Sequence, residues 1–197
     1  MLWLVEDRIF NDLSWEFMIQ EQADKTTWVI DPVHTKIRFD TKYLMLTTVS
    51  GWFREVEGTV QAANSNFNDC SINLTIYTNS VYTGIDERDE HLRSSDFFDA
   101  KKYPTINFHS TNVEVNGDLI NIKGILSVKD ITQEITFRAK HLGTVPDPFG
   151  NLKAGFEMDM VFDRQDFHIS WNQLFDENGI LISDQVKLHA DIQLLKF

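Results

Sequence analysis

A single cysteine, Cys70, excludes an intramolecular disulfide, so packing and hydrogen bonds alone must hold this chain together. A lone thiol fits a reducing compartment without forbidding an exported one. Cys70 follows Asn68-Asp69 with no base beside it, which argues against a catalytic nucleophile. Positive charge is scarce and unclustered: 18 Lys and Arg stand against 30 Asp and Glu, a formal net charge of -12. Phosphate backbones and anionic membrane surfaces both call for basic patches, so neither is an expected partner. No apolar run approaches the ~18 residues of a membrane-spanning helix. The opening Met1-Leu2-Trp3-Leu4-Val5 meets Glu6 and Asp7 at once and lacks the basic start, long apolar middle and small-residue cleavage site of a secretory signal. A cytoplasmic location is expected if Met1 is the natural start, a periplasmic one if it is not. Neither a Gly-x-Ser-x-Gly elbow nor a phosphate loop occurs. His34, His91, His109, His141, His168 and His189 show no His-x-His or His-Glu-x-x-His spacing, so no metal site is expected.

What is present is alternation. A chain of 197 residues is long enough for one domain with one core. From Trp28 onward apolar and polar residues take turns, as in strands with one dry face. Val33, Thr35, Ile37, Phe39 and Thr41 alternate with His34, Lys36, Arg38, Asp40 and Lys42. Further strands carry Ile72, Leu74 and Ile76; Ile106 and Phe108; Ile135, Phe137 and Ala139; and Phe156, Met158, Met160 and Phe162. The last runs through Val186, Leu188, Ala190, Ile192 and Leu194. Gly51 and Gly58 interrupt the strand pattern of Val49 to Val60 and predict bends or bulges. Asn116-Gly117 predicts a two-residue hairpin with Val113 opposite Ile120. About eight one-sided strands imply an antiparallel barrel or sandwich around one shared interior. An eight-stranded barrel either fills itself with side chains or holds one small ligand, and the pattern alone leaves both open.

Two stretches break the period of two. In residues 1-27, Leu2, Val5, Ile9, Leu13 and Phe17 recur at helical spacing and predict an amphipathic helix, followed by a polar linker from Gln20 to Thr26. That helix packs on its own domain or joins two chains as a homodimer. The other stretch, Asp86 to Pro104, crowds carboxylates and guanidiniums around His91 and predicts a short helix over Asp86 to Leu92. Ser94 or Ser95 then caps a turn carrying Phe97 and Phe98, and the segment crosses from one half of the fold to the other. A lid across an apolar opening and a plain connector anchored by its phenylalanines both fit. Arg88, Asp89 and His91 either polarise the head group of a ligand or tie this segment to the rim by ion pairs.

Six motifs occur in order along the chain. They are Trp28-Val29-Ile30-Asp31-Pro32-Val33-His34, Val49-Ser50-Gly51-Trp52-Phe53, Arg88-Asp89-Glu90-His91-Leu92, Ser95-Asp96-Phe97-Phe98-Asp99, Tyr103-Pro104-Thr105-Ile106-Asn107-Phe108 and Asp163-Arg164-Gln165-Asp166-Phe167. In these the chain resembles the YceI family from about Trp28 to Phe197, so residues 28-197 form the expected barrel domain and residues 1-27 lie outside it. The resemblance implies a lipocalin-like, eight-stranded antiparallel barrel whose cavity binds polyisoprenoids, isoprenoid quinones or similar long-chain lipids. The chain departs from the family where Tyr43 replaces a frequent His, where Asp130 and His168 replace Gly, and along Gly124-Ile125-Leu126-Ser127.

The expected function is therefore non-catalytic binding of a long-chain apolar small molecule, an isoprenoid quinone being one such guest, with no other cofactor. The residues expected to meet it are Ile37, Phe39, Met45, Phe53, Ile76, Arg88, Asp89, His91, Leu92, Phe97, Phe98, Phe108, Leu126, Phe137, Phe156, Met158, Met160, Phe162 and Trp171. Flexible thioethers suit a bent tail, and they equally suit gap-filling in a dry core. Two other readings stand beside the carrier: a small enzyme working on a lipid-like substrate at Arg88, Asp89 and His91, and a structural dimer with a self-filled barrel.

Overall fold

The computed structural model describes residues 26-63, 66-173 and 181-197. The helix expected in residues 1-25 lies outside them, whereas Thr26 and Thr27, expected as linker and its end, already belong to the first strand. Eleven strand segments form one sheet: β1 (Thr26–Ile30), β2 (Lys36–Tyr43), β3 (Thr47–Phe53), β4 (Val56–Ala62), β5 (Ser71–Tyr77), β6 (Val81–Tyr82), β7 (Thr105–Asn116), β8 (Leu119–Val128), β9 (Ile131–Pro146), β10 (Leu152–Asp163) and β11 (Ile182–Lys196). Helix α1 (Asp86–Arg93) is inserted between β6 and β7.

The sheet runs β1-β4-β5-β7-β8-β9-β10-β11 and closes through antiparallel pairing of β1 with β11, at Trp28 opposite Lys196 and Ile30 opposite Leu194. The other half of β11 pairs with β2, which continues through β3 to β6. Segments β1 and β2 follow one path, as do β3 and β4, and β5 and β6, so the eleven segments make the eight strands of a closed antiparallel barrel. Closure leaves no long unpaired edge, which removes the template for edge-to-edge aggregation.

The breaks have local causes. Between β1 and β2 the Asp31 carboxylate accepts from the Val33 amide and bonds the His34 ring, folding a turn that leaves Val33 79% exposed instead of inside a strand. Gly51 and Gly58 do not mark bulges. A Cβ at Gly51 would strike the Phe39 ring, and one at Gly58 would strike the Asn73 carbonyl and Ile30, so both glycines let a neighbour lie against the strand. The register shifts fall instead between Ser110 and Asn112, between Gly155 and Phe156, and between Ile182 and Val186.

In the hairpin of β7 and β8, Asn116 pairs with Leu119, and Gly117-Asp118 are the two loop residues. Gly117 alone of these has positive φ, at 67°, the pattern of a turn with glycine first. Val113 therefore faces Ile122 and not Ile120. A slip of two residues, unlike one, keeps every side chain on its own face of the sheet.

The charged segment does not cross between halves of the fold. It leaves after β6 and returns beside its start, where Tyr77 pairs with Thr105 and the Thr78 amide and hydroxyl donate to the Pro104 and Tyr103 carbonyls. It is an excursion between neighbouring strands that folds over one end of the barrel. No helix among the described residues is long and apolar enough to cross a membrane.

Candidate functional site

The inward faces of the strands enclose a cavity of about 440 Å³. Its walls are overwhelmingly apolar, and among the described residues no carboxylate lines it. Alternation places Phe156, Met158, Met160 and Phe162 of β10 on the wall, beside Leu188, Ala190 and Ile192 of β11.

One end is shut by aromatic rings. Phe67 reaches inward from the loop after β4 and packs against Trp28 at 5.1 Å, Phe156 at 5.0 Å and His141 at 5.5 Å between ring centroids. His141 stacks on Phe156, and its Nε2 pairs with the Thr144 hydroxyl. Cys70 lies in the same wall, where burial pushes its thiol up to about 11 and keeps it protonated.

The excursion covers the opposite end. Leu92, Phe97 and Phe98 point into the cavity, and the Phe98 ring meets Phe53 at 5.5 Å. Ser94 supplies the turn after α1: its amide and hydroxyl donate to the His91 carbonyl, and its Oγ accepts from the Asp96 amide. The His91 ring lies edge-on to Phe97 and to Trp171, at 5.0 and 4.6 Å, while its Nε2 bonds Asp96 at 2.9 Å.

Arg164 fixes the remaining part of this end. It is 3% exposed, and its guanidinium donates to the carbonyls of Ile169, Trp171, Ile182 and Ser183 and to the Asp184 carboxylate. A planar fork with five donors can tie one loop to one strand in this way, and an ammonium cannot. Trp171 is thereby held over the cavity beside His91.

The cavity reaches the surface next to the β2–β3 hairpin, since Lys42 and Tyr43 line it and are themselves exposed. Lys42, Arg88 and His91 thus place cationic or donor groups near this end of an otherwise apolar space. Arg88 spends its Nε and Nη2 on Thr83, while its Nη1 makes no hydrogen bond to a described residue.

Two residues expected at the ligand stand elsewhere. Met45 sits in the hairpin turn after β2, 63% exposed and outside the cavity wall. Asp89 is 2% exposed but turned away from the cavity, accepting from the Thr83 amide and hydroxyl. The others expected there, from Ile37 to Trp171, all border the cavity. Arg88, Asp89 and His91 do not converge on a common point: Arg88 and Asp89 are engaged with Thr83, and His91 with Asp96.

Sequence spacing missed Phe67, Arg164 and Lys42, whose roles depend on loops folding back over the barrel. It also missed a cluster on the outer face, where Glu157, Asp159 and His189 bring donor atoms within 4.8 Å of one another. Asp159 and His189 face each other across β10 and β11 at 2.8 Å, and the carboxylate raises the imidazole pKa above its usual value. Cross-strand pairing of residues so far apart in sequence leaves no local motif.

Comparison with known proteins places these features in context. The description of the YceI-like domain matches residues 28–194. A UPF0312 protein of Pseudomonas aeruginosa (strain LESB58) is 39% identical over 136 residues, covering 69% of this chain and 71% of that protein. Protein YceI of Salmonella newport is 36% identical over 137 residues, 70% of this chain and 72% of its own. Among solved structures, BcnA of Burkholderia cenocepacia superposes with a TM-score of 0.72 at 20% identity, over 83% of this chain and 98% of BcnA. A polyisoprenoid binding domain from Saccharophagus degradans gives a TM-score of 0.65 at 15% identity, over 85% and 97% of the two chains. At such identities both likenesses speak for the fold alone.

Proposed function

Since the chain belongs to the YceI family, we propose that its barrel carries a long-chain isoprenoid or quinone-like lipid and performs no chemistry on it. The observation that carries this reading is the enclosed apolar cavity of about 440 Å³, without a carboxylate on its wall among the described residues. The polyisoprenoid binding named for the structural neighbour from Saccharophagus degradans supports the same class of guest.

At ~30 Å³ for a water-sized group, a cavity of this size takes about fifteen chain atoms. Their burial is worth about 12 kcal/mol in gross transfer free energy at ~0.8 kcal/mol per methylene. Ligands of that size realise nearer ~0.3 kcal/mol per heavy atom, or about 4–5 kcal/mol. The tail alone binds modestly, so the polar end of the guest must contribute. Tyr43, Lys42 and the Nη1 of Arg88 are the donors placed to meet it.

Extraction of lipid from freshly purified protein, followed by mass spectrometry, tests the reading, with tryptophan quenching by an added isoprenoid quinone as a second measure. A stoichiometric long-chain species or saturable quenching is expected. Absence of both would remove the carrier reading. His91→Ala separates carrier from enzyme: the carrier keeps its affinity within about threefold, because the lost ring contacts with Phe97 and Trp171 are worth only about 0.5–1.5 kcal/mol per pair and are not shown to touch the guest.

A further inference from the structure

We propose that the hairpin tip Leu44-Met45-Leu46 is where this barrel touches a neutral lipid bilayer, and that the guest passes there between bilayer and cavity. The inference rests on the carrier reading above and adds a route to it.

The turn itself is the first observation. The Leu46 amide donates to the Tyr43 carbonyl at 3.0 Å, making Leu44 and Met45 the two central residues. Both have positive φ, at 52° and 56°. A turn left-handed at both central positions favours Asn-Gly, because a bulky side chain there strains the backbone. This chain keeps two large apolar residues in that conformation. Such outliers gather at functional sites, where strain is tolerated for what the residue does.

Exposure is the second. Met45 is 63% and Leu46 79% exposed, and Tyr43 at the root of the tip is 40% exposed. Folding gains little from them there.

Continuity with the cavity is the third. Lys42 and Tyr43 line the cavity, and the Leu44 amide donates to the carbonyl of Leu181, another lining residue, at 2.8 Å. The strained tip and the cavity mouth are thus one structural unit.

The nature of the cavity and the size of the tip decide the occupant. A long-chain guest has its reservoir in a bilayer, and apolar side chains beside the mouth allow it to leave without crossing water. A protein partner needs about 800 Å² from each side, more than this narrow tip presents. A net charge of -12 repels anionic membranes, so the surface touched is zwitterionic.

Phosphatidylcholine vesicles loaded with an isoprenoid quinone provide the test, with uptake followed by tryptophan quenching of the full chain. Leu46→Asp and the double variant Leu44→Asn with Met45→Gly are each expected to slow uptake from vesicles at least tenfold. Affinity for the same quinone presented in detergent micelles should stay within twofold. The double variant also relaxes the turn, so it should melt above the parent, which excludes misfolding as the cause of slow uptake. Unchanged vesicle uptake in both variants overturns the proposal. So does an equal loss in micelles, which would make the tip part of the pocket, or a change in oligomeric state, which would make it a contact between copies. Co-flotation with quinone-free phosphatidylcholine vesicles reads the tip independently of any guest. Parent protein that floats while Leu46→Asp does not supports the tip even if no quinone binds, a result that would count against the carrier reading alone.

Discussion

Arg88 and Asp89, adjacent in sequence, meet on one hydroxyl. Thr83 Oγ1 donates to Asp89 Oδ1 and accepts from Arg88 Nε at 2.7 Å, while the Thr83 amide donates to the same carboxylate oxygen and its carbonyl accepts from Arg88 Nη2. The first turns of α1 are therefore fastened to the chain that enters them. Replacing Thr83 by Val leaves the buried carboxylate with a single amide and removes the acceptor for Arg88. A loss of about 2–3 kcal/mol is expected on urea unfolding, and Thr83→Ser should restore most of it. If Val is tolerated as well as Ser, the hydroxyl is not the fastening.

Arg164 yields a prediction of a different kind. Its donors hold Ile169 and Trp171 against the start of β11, and no shorter or more flexible cation can serve those carbonyls together. Arg164→Lys is expected to lose about 3–5 kcal/mol, close to the loss for Arg164→Ala. Tryptophan emission should shift to the red in both variants as Trp171 gains water. A lysine variant with parent stability would show that one charge suffices.

The barrel was legible because a closed sheet with one wet and one dry face prints a period of two into the sequence. Phe156 to Phe162 and Val186 to Leu194 could be assigned to the interior for that reason alone. The hairpin after β7 was placed two residues off because Asn116-Gly117 and Gly117-Asp118 are both acceptable turn pairs, and parity hides the difference. Val33 was misread because Pro32 and the Asp31 turn end a strand whose alternation continues by coincidence. Met45 has the chemistry of a cavity residue, and only a left-handed turn puts it outside. Phe67 and Arg164 reach their places through loops whose direction no local pattern specifies.

Phe67 sets the depth of the cavity. It is buried among Trp28, His141 and Phe156, and it lines the cavity from the closed end. Phe67→Ala should cost about 3–5 kcal/mol in stability and lengthen the space available to a tail. With guests of graded chain length, the preference should move to longer chains by several carbons. Equal weakening at every length would mean that the ring supports the fold without limiting the guest.

Asp31 governs stability in acid. Burial alone would raise its carboxyl, but hydrogen bonds from Lys153 and His34 and from the Val33 amide outweigh that and bring it from 3.8 down to about 2. Lys153 Nζ and His34 Nδ1 both lie 2.8 Å from Asp31 Oδ2, and Lys153 also donates to Gln193, which joins the β1–β2 turn to β10 and β11. A carboxyl depressed on folding adds stability that is complete above its unfolded value and disappears as pH falls through the folded one. The contribution, about 1–2 kcal/mol after solvent screening, is therefore present above pH ~4 and lost between pH ~4 and ~2. Urea unfolding across that window should show the parent losing this stability and Asp31→Asn losing correspondingly less, the two curves converging near pH ~2. Parallel curves through the whole window would move the acid sensitivity to other carboxylates.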